Sequence, residues 1–243
     1  MRHAIVAVAN EPYVEHTKSL FGNLRTVGQW NGDLVLIANG VYDVAPFTDR
    51  GVKVEYHYDA VTPFHAKFWV FGEAIRKKYD RIMYLDADML VKKPIAPMFD
   101  QDGAFLADYE PFKLREYFDS GADVYKLLDR EYELDRQGFN TSCMLFDTRP
   151  ISEYIGSGWL FWMQEKCFDA NNHTGLVGGT DQPIINLLFN SVCEQIGGVC
   201  FVGDRKHRRQ ASLVHTTRWL APWKEHKDYY ERGLKAFEEM TYE

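Results

Sequence analysis

The chain has 243 residues, of which 46% are hydrophobic and 15% aromatic. This length and composition can build a full core, which argues against disorder and favours one large α/β domain. The formal net charge is −7, with 35 acidic residues against 28 Lys and Arg. That balance argues against a general nucleic-acid binder, because such a protein needs an excess of basic surface.

The cysteines and the N-terminal segment indicate in which cellular compartment the protein is expected. Neither a C-x-x-C pair nor a dense framework occurs, so we expect buried free thiols. The four cysteines are Cys143, Cys167, Cys193 and Cys200. The chain enters an apolar strand directly, without the features of a signal peptide, and no apolar run approaches the length of about 18 residues that a membrane span needs. The sequence therefore predicts a soluble, cytoplasmic protein.

The first part of the chain alternates apolar strands with helical segments. Strands are predicted at 4–9, 34–38, 52–58 and 82–85, and helices at 13–24 and 65–78. Apolar strands joined through helices indicate a parallel sheet with helical crossovers. No G-x-G-x-x-G follows the first strand, so a dinucleotide fold of the dehydrogenase type is not supported. Residues 1–90 are predicted to form the nucleotide-binding half of a doubly wound fold.

The second part of the chain predicts further strands around a charged, aromatic segment. Strands are predicted at 102–109, 138–147, 199–202 and 213–215, and helices at 159–168 and 223–243. Segment 110–137 is predicted to be a helical or irregular excursion, either a lid or a surface helix pair. A glycine loop opens a helix near Pro183, with Thr180 or Asp181 as its cap. A single domain over 1–243 is predicted, with a sugar and acceptor half at 91–223 and a C-terminal helix at 224–243.

The central predicted strand ends on two acidic residues, Asp86 and Asp88. In an extended segment alternate side chains point the same way, so both carboxylates would face one side. Carboxylate oxygens suit Mg²⁺ or Mn²⁺, and ligands of open α/β sheets bind at the carboxyl ends of the strands. A solvated acidic turn is the alternative interpretation, because D-x-D triplets are common.

Five stretches together resemble glycosyltransferase family 8, the glycogenin and lipopolysaccharide galactosyltransferase group, and they occur in the family's order. They are Asn10-Glu11-Pro12-Tyr13, Tyr84–Val91, Phe139–Leu145, Asp181–Asn186, and His215 followed by Pro222-Trp223. The resemblance runs over residues 4–223. It implies the α/β GT-A fold of nucleotide-diphospho-sugar transferases, which is Rossmann-like, with a mostly parallel central sheet flanked by helices.

The resemblance also implies an activity. A metal-dependent, retaining glycosyltransferase would move a hexose or related sugar from a UDP-sugar donor to a glycan, glycolipid or protein acceptor. The implied metal ligands are Asp86, Asp88 and His215, and an imidazole beside carboxylates favours Mn²⁺ over Mg²⁺. The cation would bridge the two phosphates and act as a Lewis acid. No nucleic-acid partner is expected. The basic run 205–209 is interpreted as a solvated loop, with contact to an anionic acceptor or a membrane surface as the alternative. The tail helix could contact a partner subunit or a membrane.

Asp181 and Gln182 are the implied catalytic pair. Asp181 would accept hydrogen bonds from sugar hydroxyls, and the amide oxygen of Gln182 would face the anomeric carbon. Gln182 is a poor nucleophile, so a front-face reaction, in which the leaving phosphate helps to deprotonate the acceptor, is favoured over double displacement. The residues implied in donor binding are Ala7, Ala9, Asn10, Tyr13, Lys67, Asp86, Ala87, Asn140 and Arg218.

The sequence departs from the family pattern beside the histidine. Ala221 stands where a lysine is expected before Pro-Trp, and Arg218 where a glycine is expected. Arg218 or Lys224 would then have to supply the charge that binds the diphosphate, since a guanidinium can bind phosphate with two hydrogen bonds.

Three alternatives stay open at this point. The first is an inverting GT-A transferase, in which Asp108, Glu110 or Asp181 would act as the base for the acceptor. The second is a catalytically weak nucleotide-sugar binding module, which the missing lysine favours. The third is a sugar-1-phosphate nucleotidyltransferase, which would need a basic, glycine-rich loop after the first strand, and Asn10-Glu11-Pro12-Tyr13 does not provide one.

Overall fold

The computed structural model describes residues 1–57, 66–117, 133–155, 181–201, 207, 209–216 and 221–241. The strands are β1 (His3–Ala9), β2 (Asp33–Asn39), β3 (Lys53–His57), β4 (Arg81–Leu85), β5 (Met89–Val91), β6 (Phe105–Lys113), β7 (Gln137–Asp147), β8 (Cys193–Gln195), β9 (Val199–Phe201) and β10 (Leu213–His215). The α-helices are α1 (Val14–Thr26), α2 (Ala45–Thr48), α3 (Glu73–Arg76), α4 (Thr148–Ile155), α5 (Gln182–Phe189), α6 (Pro222–Glu225) and α7 (Lys227–Glu238). Short 3₁₀-helices span Glu11–Tyr13, Lys67–Phe71, Ala96–Asp100 and Leu114–Tyr117.

A seven-stranded sheet in the order β3-β2-β1-β4-β7-β6-β8 forms the centre of the fold. β1 pairs in parallel with β2 and β4, and β2 pairs in parallel with β3. Of the strands described in this sheet, only β7 runs against the others, between β4 and β6. The predicted α/β fold with a mostly parallel sheet is therefore confirmed.

A smaller sheet, β5-β10-β9, lies next to the end of the central strand. β5 and β10 are antiparallel, and their register pairs Met89 with His215. This pairing brings His215 next to the acidic turn that precedes β5. β5 and β8, each three residues long, were not predicted from the sequence, whereas the equally short β9 and β10 were.

Two hydrophobic clusters cover the two faces of the main sheet. All five residues of β4 are buried, as expected for a central strand with packed layers on both faces. The rings of Phe105 and Phe189 stack at 4.6 Å on one face, whereas Phe21 and Phe47 pack edge to face at 6.1 Å on the other. Of the predicted free thiols, Cys143 and Cys193 are free and buried in these two clusters. Cys200 is buried in a third, smaller cluster with Leu90 and Val214.

The prediction of a single helix at 65–78 is wrong for the part of this segment that the structure describes. A 3₁₀-helix, Lys67–Phe71, ends at Gly72, whose backbone is extended (φ −70°, ψ 151°), and α3 starts after it. Aromatic side chains lose rotamer freedom in helices, and Phe68 and Phe71 are fully buried here. Core packing of these rings therefore overrides the helical spacing of the sequence.

The excursion predicted at 110–137 also differs from the structure. Residues 110–113 continue β6, and a 3₁₀-helix, Leu114–Tyr117, follows. The continuation is possible because β7 begins early enough to pair Gln137 with Lys113. Residues 134–136 form a turn that leads into β7, whereas residues 118–132, the helix predicted at 159–168 and the glycine loop before Asp181 lie outside the described residues.

The C-terminal segment packs on α1 of its own chain. His226, with non-helical backbone angles, separates α6 from α7 where one helix was predicted. Phe237 is buried, with its ring centroid 5.2 Å from that of Phe47. α1 and α7 approach so closely that a Cβ atom added at Gly22 would lie 1.9 Å from the carbonyl oxygen of Gly233. The face of the tail helix that was expected to contact a partner or a membrane is therefore covered by α1 of this chain.

Every helix among the described residues is too short or too polar to cross a bilayer.

We expect the Phe237→Ala substitution to lower the free energy of unfolding by about 3–5 kcal/mol, because it removes a buried ring and leaves a cavity. Urea denaturation measures this change. Lys235→Ala on the same helix is the control: the Lys235 side chain is 76% exposed, so its loss should cost less than about 0.5 kcal/mol. Equal effects of the two substitutions would contradict docking of the tail on α1.

Candidate active site

A cavity of about 380 Å³ lies where the predicted site residues meet. Its volume is within the range of small-molecule sites. Six residues predicted from the sequence line it: Lys67, Asp86, Asn140, Asp181, Gln182 and His215. Glu110, considered above only as a base in the inverting alternative, also lines it. The remaining lining side chains were not predicted, and they are Phe112, Glu116, Tyr117, Thr141, Ser142 and Pro183.

Asp86 and Asp88 lie in a turn between β4 and β5. The backbone N–H of Asp86 donates to the carbonyl of Ser142 at 2.8 Å, and that of Met89 donates to the carbonyl of Asp86 at 3.2 Å. The prediction that both carboxylates share one face of an extended segment is therefore wrong, because the turn gives each side chain its own direction and its own neighbours.

Lys67 holds Asp86 and Asp181 together. Its Nζ lies 2.6 Å from Asp181 Oδ2 and 3.3 Å from Asp86 Oδ1. Thr141 Oγ1 lies 3.3 Å from the same ammonium and donates to Asp181 Oδ2 at 2.9 Å. Burial disfavours the Lys67 charge more than any single contact favours it, but the two carboxylates together hold its pKa above the ordinary lysine value. The Lys67 side chain therefore stays a cation in the wall of the cavity.

Asp181 stands at the N-cap position of α5 but makes no side-chain capping bond. The expected capping role is wrong for this side chain because its carboxylate is engaged by Lys67 and Thr141. The placement of Pro183 in the first turn of α5 is confirmed.

Glu110 is the centre of a second group of polar side chains. Gln182 Nε2 donates to Glu110 Oε2 at 2.8 Å, and Asn140 Nδ2 donates to Glu110 Oε1 at 2.8 Å. The Tyr117 hydroxyl donates to Oε2 at 2.6 Å. Burial, and then its hydrogen bond to Glu110, raise the pKa of Tyr117, so the phenol keeps its proton and remains a donor.

Asp88 and His215 face each other beside the cavity. His215 Nε2 lies 3.9 Å from Asp88 Oδ2. Burial, and then the charge of Asp86, raise the pKa of Asp88 to about 7. Burial lowers the pKa of His215, which favours its neutral form. The buried Oδ1 of Asp88 has no hydrogen-bond partner among the described residues.

These properties fit a divalent cation at Asp88 and His215. A neutral imidazole and a carboxylate are suitable ligands, and a cation would satisfy the unpartnered oxygen and offset the repulsion between the two acids. Over the described ranges, however, no three His, Cys, Asp or Glu side chains are grouped closely enough to hold a metal ion. Asp86 accepts a hydrogen bond from Tyr84 and faces Lys67 instead. Two of the three predicted ligands therefore face each other, and the third is held by other partners.

Asn10 and Tyr13 lie in the segment after β1. The Asn10 side-chain oxygen is buried and has no hydrogen-bond partner among the described residues. Tyr13 contacts Trp223 edge to face at 6.1 Å, and Trp223 stacks on His16 at 3.7 Å. This aromatic group brings the Asn10 segment and the Pro222-Trp223 stretch together, although they are far apart in the sequence.

The other predicted donor contacts lie away from the cavity or outside the described part of the chain. Ala7 and Ala9 are buried in β1, and Ala87 lies in the acidic turn. Lys224 lines a different cavity, with Lys92 and Tyr229, so it is wrong as a replacement for the missing lysine at this site. Arg218 lies outside the described residues.

Comparison with known proteins identifies the class of fold. No protein-family model and no curated protein matches the chain. The galactosyltransferase LgtC, solved with donor and acceptor sugar analogs, aligns with a TM-score of 0.63 over 99% of this chain and 97% of that chain, at 15% identity. WbbM, a bifunctional glycosyltransferase, gives a TM-score of 0.67 over 98% of this chain at 14% identity. GlyE of Streptococcus pneumoniae TIGR4 gives 0.62 over 96% of this chain, also at 14% identity.

The chain spans 50% of the WbbM chain and 60% of the GlyE chain. At these identities the likeness shows the fold, which is that of the GT-A glycosyltransferases. LgtC is a family 8 galactosyltransferase. The resemblance that the sequence motifs carry is thus confirmed at the level of the fold.

The raised pKa of Asp88 predicts a pH-dependent stability in the metal-free protein. Ionised Asp88 destabilises the folded state, so its favourable contribution is complete below the unfolded pKa of 3.8 and is lost as the pH rises through about 7. Since one pKa unit corresponds to about 1.4 kcal/mol, Asp88→Asn should raise the free energy of unfolding at pH 8 by up to about 4 kcal/mol, with little effect at pH 3.5.

Urea denaturation at the two pH values, with a chelator present, measures this difference. Asp33→Asn is the control, because Asp33 forms an exposed ion pair with Lys53. An Asp88→Asn variant that is no more stabilised at pH 8 than at pH 3.5 would contradict the raised pKa of Asp88, which burial and then the charge of Asp86 cause.

Proposed function

We propose that the chain is a glycosyltransferase that takes its sugar from a nucleotide-diphosphate donor. The observation that carries the proposal is the single cavity in which Lys67, Asp181 and Gln182 meet the turn of Asp86, within the fold of the GT-A glycosyltransferases. A cavity with acceptors, donors and one fixed cation suits a polyhydroxylated ligand that carries negative charge at one end.

The diphosphate end of the donor is proposed to lie at Asp88 and His215. These two residues would hold Mn²⁺, or Mg²⁺, with Asp86 as the third ligand after a change of its contacts. When bound, the cation supplies Lewis-acid stabilisation of the leaving diphosphate. A cation also explains how an acidic cavity could accept an anionic donor. Ala221 is fully buried, so Arg218 stays our candidate for a further contact to the diphosphate.

The nucleoside end is proposed to lie against the Asn10 segment, with UDP as the carrier. Uracil presents an imide N–H, which needs an acceptor, and the buried side-chain oxygen of Asn10 lacks a donor among the described residues. Burying a polar atom without a partner is costly. A base that donates to Asn10 would remove that cost, and Tyr13 lies in the same segment.

The sugar is proposed to lie between Asp181 and Gln182. Asp181 would accept from its hydroxyls while the ion pair with Lys67 holds the carboxylate in place. Gln182 would direct its amide oxygen at the anomeric carbon, where positive charge develops. Transfer would retain configuration by a front-face reaction, because an amide is a poor nucleophile for double displacement. A carbohydrate-type acceptor would enter beside Phe112, which is 51% exposed at the cavity wall.

A panel of nucleotide sugars with Mn²⁺, followed by release of the nucleoside diphosphate, tests this proposal. We expect turnover with a UDP-sugar and a loss of at least about a hundredfold in Asp88→Asn, since a lost metal ligand removes transition-state stabilisation. Asp33→Asn makes the same chemical change at an exposed site and should keep full activity.

Absence of turnover with every donor would contradict the proposal. Calorimetric binding of a UDP-sugar without turnover would instead support the nucleotide-sugar binding module.

The inverting alternative retains one specific observation in its favour. Glu110 is a carboxylate in the wall of the same cavity, where a base for the acceptor would be needed. Asp108 does not line the cavity and accepts from Gln195 Nε2 at 2.8 Å instead. We expect NMR of the product to show the anomeric configuration of the donor. Inversion of that configuration would replace the retaining proposal and leave Glu110 and Asp181, which both line the cavity, as candidates for the base.

A further inference from the structure

We infer that Glu110 is a positioning residue that fixes the Gln182 amide with its oxygen, and not its nitrogen, toward the sugar. The inference rests on the proposed function, in which Gln182 faces the anomeric carbon, and it assigns a further residue to that site. It follows from the direction of the hydrogen bonds around Glu110.

An amide group has two unlike ends, and its terminal torsion is soft. The nitrogen donates and the oxygen accepts, and neither shape nor size distinguishes the two orientations. The nitrogen of Gln182 lies 2.8 Å from Glu110 Oε2 and 3.3 Å from the Tyr117 hydroxyl. Among the described residues, its oxygen accepts only one long hydrogen bond, at 3.5 Å, from the backbone N–H of Thr141. The nitrogen end is therefore firmly held, and the oxygen end keeps accepting capacity for a ligand.

Glu110 can impose this orientation because an ionised carboxylate only accepts hydrogen bonds. A flipped Gln182 would bring its oxygen against Glu110 Oε2, which places two acceptors together. Hydrogen bonds to charged groups are roughly twice as strong as those between neutral groups. The flip would lose such a bond and replace it with a repulsion.

Glu110 is itself held in place from both sides. The Tyr117 hydroxyl donates to Oε2 at 2.6 Å, and Asn140 Nδ2 donates to Oε1 at 2.8 Å. Asn140 in turn is oriented by the backbone N–H of Ser142, which donates to its Oδ1 at 2.8 Å. Two side-chain donors therefore bind Oε2 and one binds Oε1, so the Glu110 carboxylate has little freedom to rotate.

The orientation matters chemically because the two ends of the amide carry opposite partial charges. An oxygen that faces a developing oxocarbenium centre stabilises it, whereas an NH₂ group would oppose it. In Glu110→Gln the residue keeps its shape but can donate as well as accept, so a flipped Gln182 is no longer penalised. Removing the positioning contact should therefore affect the chemical step more than donor binding.

A charge-swap experiment tests the contact by stability alone. At pH 8, Gln182→Glu places two carboxylates face to face and should lower the melting temperature by several degrees, since 1 kcal/mol shifts it by about 2–4 °C in a chain of this size. In the double variant, which also carries Glu110→Gln, an amide again faces a carboxylate, with the two positions exchanged. We expect this variant to recover at least half of the lost melting temperature. A double variant whose loss equals the sum of the two single losses would overturn the inference.

A kinetic experiment tests the consequence. Glu110→Gln should lower kcat by about tenfold to a hundredfold, as expected when a hydrogen bond to a charged group is lost, while the KM of the donor changes by less than about twofold. Gln195→Glu is the matched control: Gln195 also donates to a carboxylate on β6, at 2.8 Å from Asp108, but outside the cavity. Its kcat should be unchanged. An unchanged kcat in Glu110→Gln would overturn the positioning role.

The two experiments separate this inference from the proposed function. If no donor is turned over, the proposed function fails, but recovery in the charge swap still supports the contact between Glu110 and Gln182. If donors are turned over and the charge swap shows no recovery, the positioning role fails alone.

Discussion

The buried ammonium of Lys67 joins three separate parts of the chain. It lies on the 3₁₀-helix that precedes the central strand, and it contacts Asp86 after β4 and Asp181 before α5. Burying these charges without one another would cost several kcal/mol per ion. Each group is therefore placed by the other two. The side chains that follow, Ala87 and Asp88 on one side and Gln182 on the other, depend on this arrangement for their positions.

The charged side chains that line the cavity are mostly acidic among the described residues. Asp86, Asp181, Glu110 and Glu116 line it, together with Lys67 and a largely neutral His215. An anionic donor would be repelled by such a surface unless a cation entered with it. Burial raises the pKa of Asp88, and the charge of Asp86 raises it further. The acidic lining of the cavity is therefore a reason to expect that the anionic donor binds together with a metal cation.

The sequence was most informative where a residue's role follows from its place at a strand end. Apolar runs located β1, β2 and β4 to within a residue or two, and the acids and the histidine were predicted at the strand ends where they occur. The same local patterns failed at the 3₁₀-helix, Lys67–Phe71, because tertiary packing of aromatic rings decided its form. They also failed for the turn at Asp86, whose geometry depends on the carbonyl of Ser142 on another strand.

Long-range hydrogen bonds explain why the second polar group could not be predicted. Glu110 and Gln182 are 72 positions apart, and no spacing rule relates them. Tyr117 was included in a segment expected to be a lid or a surface helix pair, whereas it donates to Glu110 within the wall of the cavity. The two residues of the Gly22–Gly233 contact, which docks the tail, are even farther apart in the sequence. For that reason the tail helix was expected to contact a partner subunit or a membrane.

A crystal structure of the chain with UDP and Mn²⁺, with the metal located by its anomalous scattering, tests the account most directly. We expect one Mn²⁺ bound by Asp88 and His215, with the diphosphate on the metal and the uracil base beside Asn10. We also expect Lys67 to keep its contact with Asp181. A metal or nucleotide bound away from this cavity, or Lys67 released from Asp181, would contradict the account.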